Sequence, residues 1–168
     1  MKIRVATSDE VPLLTSLDDD ACRLYVAAGL DFPSSQDPRV LAFVHAEKAR
    51  WLACARKGSV YLALDDGLAL GFAALERLDG IAHLEQLSVR LEQQRSGIGT
   101  LLLQRAIEWA NGPLTLTTYV HLPWNAPWYE RHGFRRLPES EWSPGLRARM
   151  IEERAVLPAP EHRVAMRR

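Results

Sequence analysis

The spacing of hydrophobic and polar residues changes period several times along the chain, and each change marks an element. Residues Lys2 to Ala6 alternate closely enough for a short strand. Beyond it, Leu13, Leu14, Leu17 and Leu24 recur at the spacing of a helix with one buried stripe, and Ser8 or Asp9 stands where an N-cap belongs. The stretch from Gly29 to Pro38, with Pro33, Ser34, Ser35 and Pro38, breaks that pattern. A second helix then carries Val40, Val44 and Trp51 and ends at Gly58.

From Ser59 the texture becomes that of strands. Val60 to Leu64, Leu68 to Leu75 and Ile81 to Val89 are separated by Asp66-Gly67 and Asp79-Gly80, dipeptides that favour the positive backbone angles of two-residue hairpins, so three antiparallel strands in series are predicted. Next, Ile98, Leu101, Leu102, Ala106 and Trp109 share one helical face while Gln104, Arg105 and Glu108 face away, until Asn111-Gly112-Pro113 stops the helix. Leu114 to Tyr119 reads as a strand, and the helix before it makes a βαβ unit with parallel strands. A short helix from Asn125 to His132 ends at Gly133, a strand begins at Phe134, Ser143-Pro144 opens a further helix, and a last strand lies near His162 to Met166. The basic end, Arg163 to Arg168, reads as a solvated strand edge. No linker or repeat interrupts this order, so residues 1–168 are expected to form one domain of mixed α/β type.

Composition narrows the partners. The chain is 47% hydrophobic and 25% charged, as a protein with a core should be, and its 21 Lys and Arg cancel its 21 Asp and Glu, which removes the footprint of a general nucleic-acid binder. Lys2, Arg4, Asp9 and Glu10 leave no room for a signal peptide at the start, and no apolar run approaches a membrane span, so a cytoplasmic location without membrane contact is expected. Cys22 and Cys54 stand apart, and the five histidines lack metal-ligand spacing, so no metal is expected either.

Candidate chemistry concentrates between Leu87 and Leu103, where an apolar strand end leads through a polar loop with two glycines into an amphipathic helix. The first N–H groups of a helix lack intrahelical partners and sit at the positive end of its dipole, so they attract phosphate. Gly97 and Gly99 have no Cβ to hold an anion away, and Arg95 adds a charge. Neither the dinucleotide fingerprint nor the P-loop spacing is present. A helix entry that uses glycine only for close packing is the plain alternative.

Gln94-Arg95-Ser96-Gly97-Ile98-Gly99 resembles the acyl-CoA signature Q/R-x-x-G-x-G/A of the GCN5-related N-acetyltransferases (GNATs). Asn125, Tyr129, Gly133 and Phe134 resemble the family's C-terminal motif Asn…Tyr-x-x-x-Gly-Phe, although Asn125 stands closer to Tyr129 than is usual there. The resemblance implies the acyl-CoA N-acyltransferase fold: a mixed, mostly antiparallel sheet of about seven strands flanked by helices, with one parallel crossover. It implies acetyl-CoA as cosubstrate, a small-molecule or peptide amine as acceptor, direct transfer in a ternary complex, and a homodimer as one possible assembly. It assigns the pantetheine arm to Leu87, Ser88 and Val89, the pyrophosphate to Gln94, Arg95, Ser96, Gly97, Ile98, Gly99 and Thr100, a cofactor-facing role to Asn125, and the hydroxyl beside the thioester sulfur to Tyr129. The acceptor pocket it implies comes from Leu30 to Arg39, with His121, Trp124 and Trp142 as further candidates.

An attacking amine must lose a proton, and a lysine-like ammonium of pKa ~10.4 gives it up reluctantly near neutrality, so a base or a water wire is wanted. By the two-residue period, His83, Glu85, Leu87 and Val89 share one strand face, which makes His83 and Glu85 candidate bases. An arginine partner for Glu85 and a satisfied, half-buried His83 are the plain alternatives, and core packing is the plain reading of Trp128. Two other functions stay open: an acyl-CoA-binding regulator without turnover, and a nucleotide-binding module of another kind.

Overall fold

The computed structural model describes residues 1–168. Seven strands, β1 (Lys2–Val5), β2 (Val60–Asp65), β3 (Leu68–Leu78), β4 (Ile81–Val89), β5 (Leu114–Tyr119), β6 (Arg135–Arg136) and β7 (Arg163–Arg167), form one sheet in the order β1-β2-β3-β4-β5-β7-β6. Every neighbouring pair is antiparallel except β4 and β5, which the crossover helix makes parallel. The helices are α1 (Val11–Ala27), α2 (Pro38–Arg56), α3 (Ile98–Ala110), α4 (Ala126–Arg131) and α5 (Pro144–Val156). The two hairpins follow from their turn residues: Asp66, Gly67, Asp79 and Gly80 all have positive φ, as a two-residue turn matching the strand twist requires.

The sheet is packed on both faces. On one, Ile98, Leu102, Leu103 and Ala106 of α3 bury against Leu84, Leu114, Leu116 and Met166. On the other, Leu14 and Leu17 of α1 and Trp51 of α2 bury against Val60, Leu62 and Phe72, with Trp51 edge-on to the Phe72 ring at 5.2 Å. A smaller cluster of Leu137, Leu146, Met150 and Ala165 seats α5.

Several expectations need correction. Pro38 does not break the second helix but opens it as its first residue, where a missing N–H costs nothing, and the Asp37 carboxylate accepts the Arg39 N–H at 2.8 Å. The entry to α1 is a 3-10 turn capped by Thr7, whose N–H donates to the Glu10 carboxylate at 2.9 Å, rather than a cap at Ser8 or Asp9. On α3, Leu101 is 36% exposed and Leu103 takes the buried place. The basic end is not a sheet edge, because β7 lies between β5 and β6 and Arg163 is buried.

One irregularity decides what the site looks like. Ala74 of β3 pairs with Gln86 and Leu75 with Leu84, so Glu85 is the extra residue of a β-bulge in β4. Before the bulge, Ala82 and Leu84 face α3; after it, Leu87 and Val89 do. The expected common face of His83, Glu85, Leu87 and Val89 is therefore not formed. His83 and Glu85 lie on the opposite face, which Gln86 and Ser88 continue toward α1.

Candidate active site

Parallel pairing between β4 and β5 runs only from Ala82–Leu114 to Leu84–Leu116. Beyond it β4 stays with β3 and β5 stays with β7, so the two strands part and leave backbone of both open to a cavity of about 990 Å³. Its walls come from α1 and α2 on one side and from the N-terminus of α3, α4 and the segment before α4 on the other. Asp18 ties α1 to the open half of β4 by accepting from Ser88 Oγ at 2.6 Å and from Gln86 Nε2 at 2.5 Å, and Asp20 accepts the Leu91 N–H at 2.8 Å.

The glycine loop stands at one end of this cavity. The N–H groups of Arg95, Gly97, Ile98, Gly99 and Thr100 donate to no carbonyl of the chain, whereas Leu101 N–H already reaches the Gly97 carbonyl at 3.1 Å. Orphan amides at a helix start form a ready anion site. Gly97 caps α3 with φ of 87°, and a Cβ built there would meet nothing within 4 Å, so the space beside it is open. Gly99 differs from expectation: a Cβ there would point at Trp128, Val89 and Leu87 at 3.6–3.9 Å, into the protein and not toward an anion. Gln94 Nε2 donates to the Val89 carbonyl at 2.8 Å and so fastens the loop to the strand end.

The C-terminal motif supplies the neighbouring wall. The Asn125 carbonyl accepts the N–H groups of Trp128 and Tyr129 at 2.8 and 3.0 Å, which starts α4 and turns Tyr129 into the cavity. Burial pushes the Tyr129 phenol well above the usual range, with Arg163 opposing, so the hydroxyl keeps its proton. Asn125 is 5% exposed and lines the cavity, but its Oδ1 accepts from Tyr25 Oη at 3.1 Å. Trp128 packs between Tyr129 and His132, and His132 Nδ1 lies 2.8 Å from the Trp128 carbonyl oxygen.

The two candidate bases on β4 are engaged elsewhere. His83 is 1% exposed, does not line the cavity, and pairs through Nδ1 with Thr115 Oγ1 at 2.9 Å; burial, with the Arg149 charge, lowers its pKa to about 4. Glu85 lines the cavity, yet one carboxylate oxygen accepts from Arg50 Nε at 2.6 Å and the other from Arg149. The implied acceptor segment does reach the cavity through Phe32, Pro33 and Ser35, as does Trp124, which stands edge-on to Tyr25. Trp142 does not: it donates to the Leu137 carbonyl and packs between Arg147 and Arg154. His121 packs on Tyr119 and His162 instead of lining the cavity.

Among the polar residues of the cavity that sequence reasoning missed are Asp18, Glu47, Glu153 and Arg163. Arg163 and Glu153 form a buried pair at 2.6 Å, with Arg163 4.6 Å over the Tyr119 ring. Asp18 follows Leu17 directly on the buried side of α1, and a carboxylate beside a buried stripe is the one signal that marked it.

Residues 56–136 match the family model described as the acetyltransferase (GNAT) domain. Among solved structures, the PaiA N-acetyltransferase of Thermoplasma acidophilum, in complex with coenzyme A, superposes with a TM-score of 0.68 at 15% identity, covering 99% of this chain and 97% of that one. A GNAT-family acetyltransferase of Staphylococcus aureus Mu50 gives 0.67 at 16% identity over 99% and 97%. The N-acetylglutamate synthase of Neisseria gonorrhoeae, complexed with coenzyme A and N-acetyl-glutamate, gives 0.65 at 20% identity, covering 99% of this chain but 34% of the longer enzyme. The glycine loop and the tyrosine motif lie inside the segment that matches the GNAT acetyltransferase domain, and along its whole length the chain has the fold of these acetyltransferases.

Proposed function

We propose that this protein transfers an acetyl group from acetyl-CoA to a primary amine by direct attack within a ternary complex. The observation that carries the proposal is the row of five unpartnered N–H groups from Arg95 to Thr100 at one end of a cavity opened by the parting of β4 and β5. The fit is chemical: orphan donors at a helix start suit a pyrophosphate, open space at Gly97 admits it, and Arg95 and Arg131 add positive charge on that wall. The open backbone of β4 from Leu87 to Val89 suits an extended arm laid down as an added strand.

In this reading acetyl-CoA supplies an activated acyl carbon, and the chain's own residues hold and move protons around it. Tyr129 keeps its phenolic proton and faces the cavity, so it can donate that proton to the departing sulfur. Free backbone N–H groups near Val89 are the candidate donors to the carbonyl oxygen as it gains charge. Glu85 and His83, with their partners taken, serve to fix β4 against α2, α5 and β5. Direct transfer without an acyl-cysteine intermediate agrees with the thiols: burial raises the pKa of Cys54 to about 11 and pushes that of Cys22 up as well.

Incubation with acetyl-CoA and a panel of amines should release free thiol, and Tyr129→Phe should slow the release at least about tenfold while leaving the CoA-induced rise in melting temperature intact. Thiol release from no amine at all, alongside tight CoA binding, would favour a regulator without turnover.

A further inference from the structure

The cavity is bipolar once its committed charges are set aside. Arg50 is held by Glu85 and Glu152, and Arg163 by Glu153. What remains is Arg95 and Arg131 on the wall of α3 and α4, and Asp18, Asp19 and Glu47 against the single Lys48 on the wall of α1 and α2. Cations at one end suit phosphates; carboxylates at the other suit an ammonium.

Glu47 is the distinctive member of that second wall. It lines the cavity, and its carboxyl makes no hydrogen bond or ion pair within the chain, unlike Asp18, which already accepts from Ser88, Gln86 and Cys22. Trp51, one helical turn on, is 1% exposed and lines the same cavity, yet its indole N–H has no acceptor; the buried indole N–H of Trp124 has none either. Buried donors of that kind mark places for an acceptor atom on a ligand. Around them the surface is apolar, with Tyr25, Phe32, Phe43 and Val44.

We propose that this arm binds a primary amine on an uncharged, largely apolar body that carries a hydroxyl, and that Glu47 holds its ammonium and receives its proton. The proposal rests on the acyl-transfer reading above. One N–H bond of the ammonium breaks and its proton passes to the Glu47 carboxylate; the freed nitrogen pair forms the new bond to the acyl carbon; the carbon–sulfur bond breaks and the sulfur takes its proton from Tyr129, while the surplus N–H proton of the adduct passes through water to the Tyr129 phenolate, leaving amide, free thiol and a protonated Glu47 that releases its proton to solvent. The same carboxylates would repel an acceptor bearing a carboxylate of its own.

The charge environment fits a base that works near neutrality. Burial, then the Asp18 charge, pushes the Glu47 carboxyl up to about 8. Asp18 and Cys22 face it from α1, Arg50 from its own helix, and Arg149 and Glu153 from α5, so both signs act on it and the raising influences prevail.

The test uses the full chain with acetyl-CoA, tyramine and tyrosine, two acceptors that differ by one carboxylate. Tyramine should be used at least about tenfold better, and its kcat/KM should climb as Glu47 loses its proton near pH 8 and fall as the amine loses its own near ~10. Glu47→Gln should lower kcat/KM by about 10²-fold or more and abolish the climbing limb, with the CoA-induced melting shift unchanged, and Glu47→Asp should restore part of the rate. Full activity and an unchanged pH profile in Glu47→Gln would overturn the role of Glu47, and equal use of tyrosine would overturn the substrate class, both leaving acyl transfer standing. If the wild-type protein turned over no amine, acyl transfer itself would fall, and this proposal with it.

Discussion

The two loop glycines should respond oppositely to alanine. Gly97 has φ of 87°, where a Cβ crowds the following carbonyl, and space around that Cβ is empty, so Gly97→Ala meets backbone strain and no clash. The strain is about 1–2 kcal/mol if the loop holds its shape, a fall of roughly 2–8 °C in Tm for a chain of this length. If the loop instead relaxes, the unpartnered amides between Arg95 and Thr100 change their orientation and the anion site weakens. At CoA one hundred times its Kd the wild type gains about 2.7 kcal/mol; a tenfold weaker site would gain about 1.4, so the CoA-induced melting shift should be roughly halved. Gly99 lies inside α3, and its alanine Cβ would sit 3.6 Å from Trp128, 3.8 Å from Val89 and 3.9 Å from Leu87, all ordinary contact distances. Gly99→Ala should leave the CoA response unchanged and hold or raise Tm, since alanine favours the helix by up to ~1 kcal/mol. Paired thermal melts with and without CoA read both effects. A Gly99→Ala protein deaf to CoA beside a Gly97→Ala protein that responds fully would refute the assignment of the open side to Gly97.

Two stability predictions follow from buried charges. His83 is neutral in the fold with a pKa of about 4 against an ordinary 6.5, so the unfolded chain binds more protons in that window and stability falls as the pH drops through it. Between pH 7 and 5 the loss is about 2 kcal/mol, and His83→Asn should show that much less loss than the wild type in urea titrations at the two pH values; an identical loss would contradict the burial argument. Replacing Arg163 by Met leaves Glu153 buried and unpaired, at about 3–5 kcal/mol and a fall of about 10 °C in Tm, whereas adding Glu153→Leu should recover most of it; a double variant as weak as the single one would show that packing and not charge is responsible.

What could be read from the chain alone was local, and what could not was a matter of which groups meet across the fold. Asp66-Gly67 and Asp79-Gly80 announced their hairpins because the turn chemistry is contained in two residues, and the glycine loop announced itself because strand, loop and helix are contiguous. The bulge at Glu85 gave no such sign. A two-residue period holds only while each residue has one partner, and the extra residue in β4 reverses the parity, so Leu87 and Val89 turn toward α3 while His83 and Glu85 face α2, β5 and α5. That reversal also explains why the strand is useful. It puts Gln86 and Ser88 where Asp18 can hold them, and it occurs where β4 leaves β5, so the same irregularity that defeats the pattern opens the cavity. Glu47 was hidden for a related reason: on α2 it sits among charged and apolar neighbours like any solvated helix residue, and only the packing of α1 and α5 around it turns an ordinary glutamate into one whose proton is held near neutral pH.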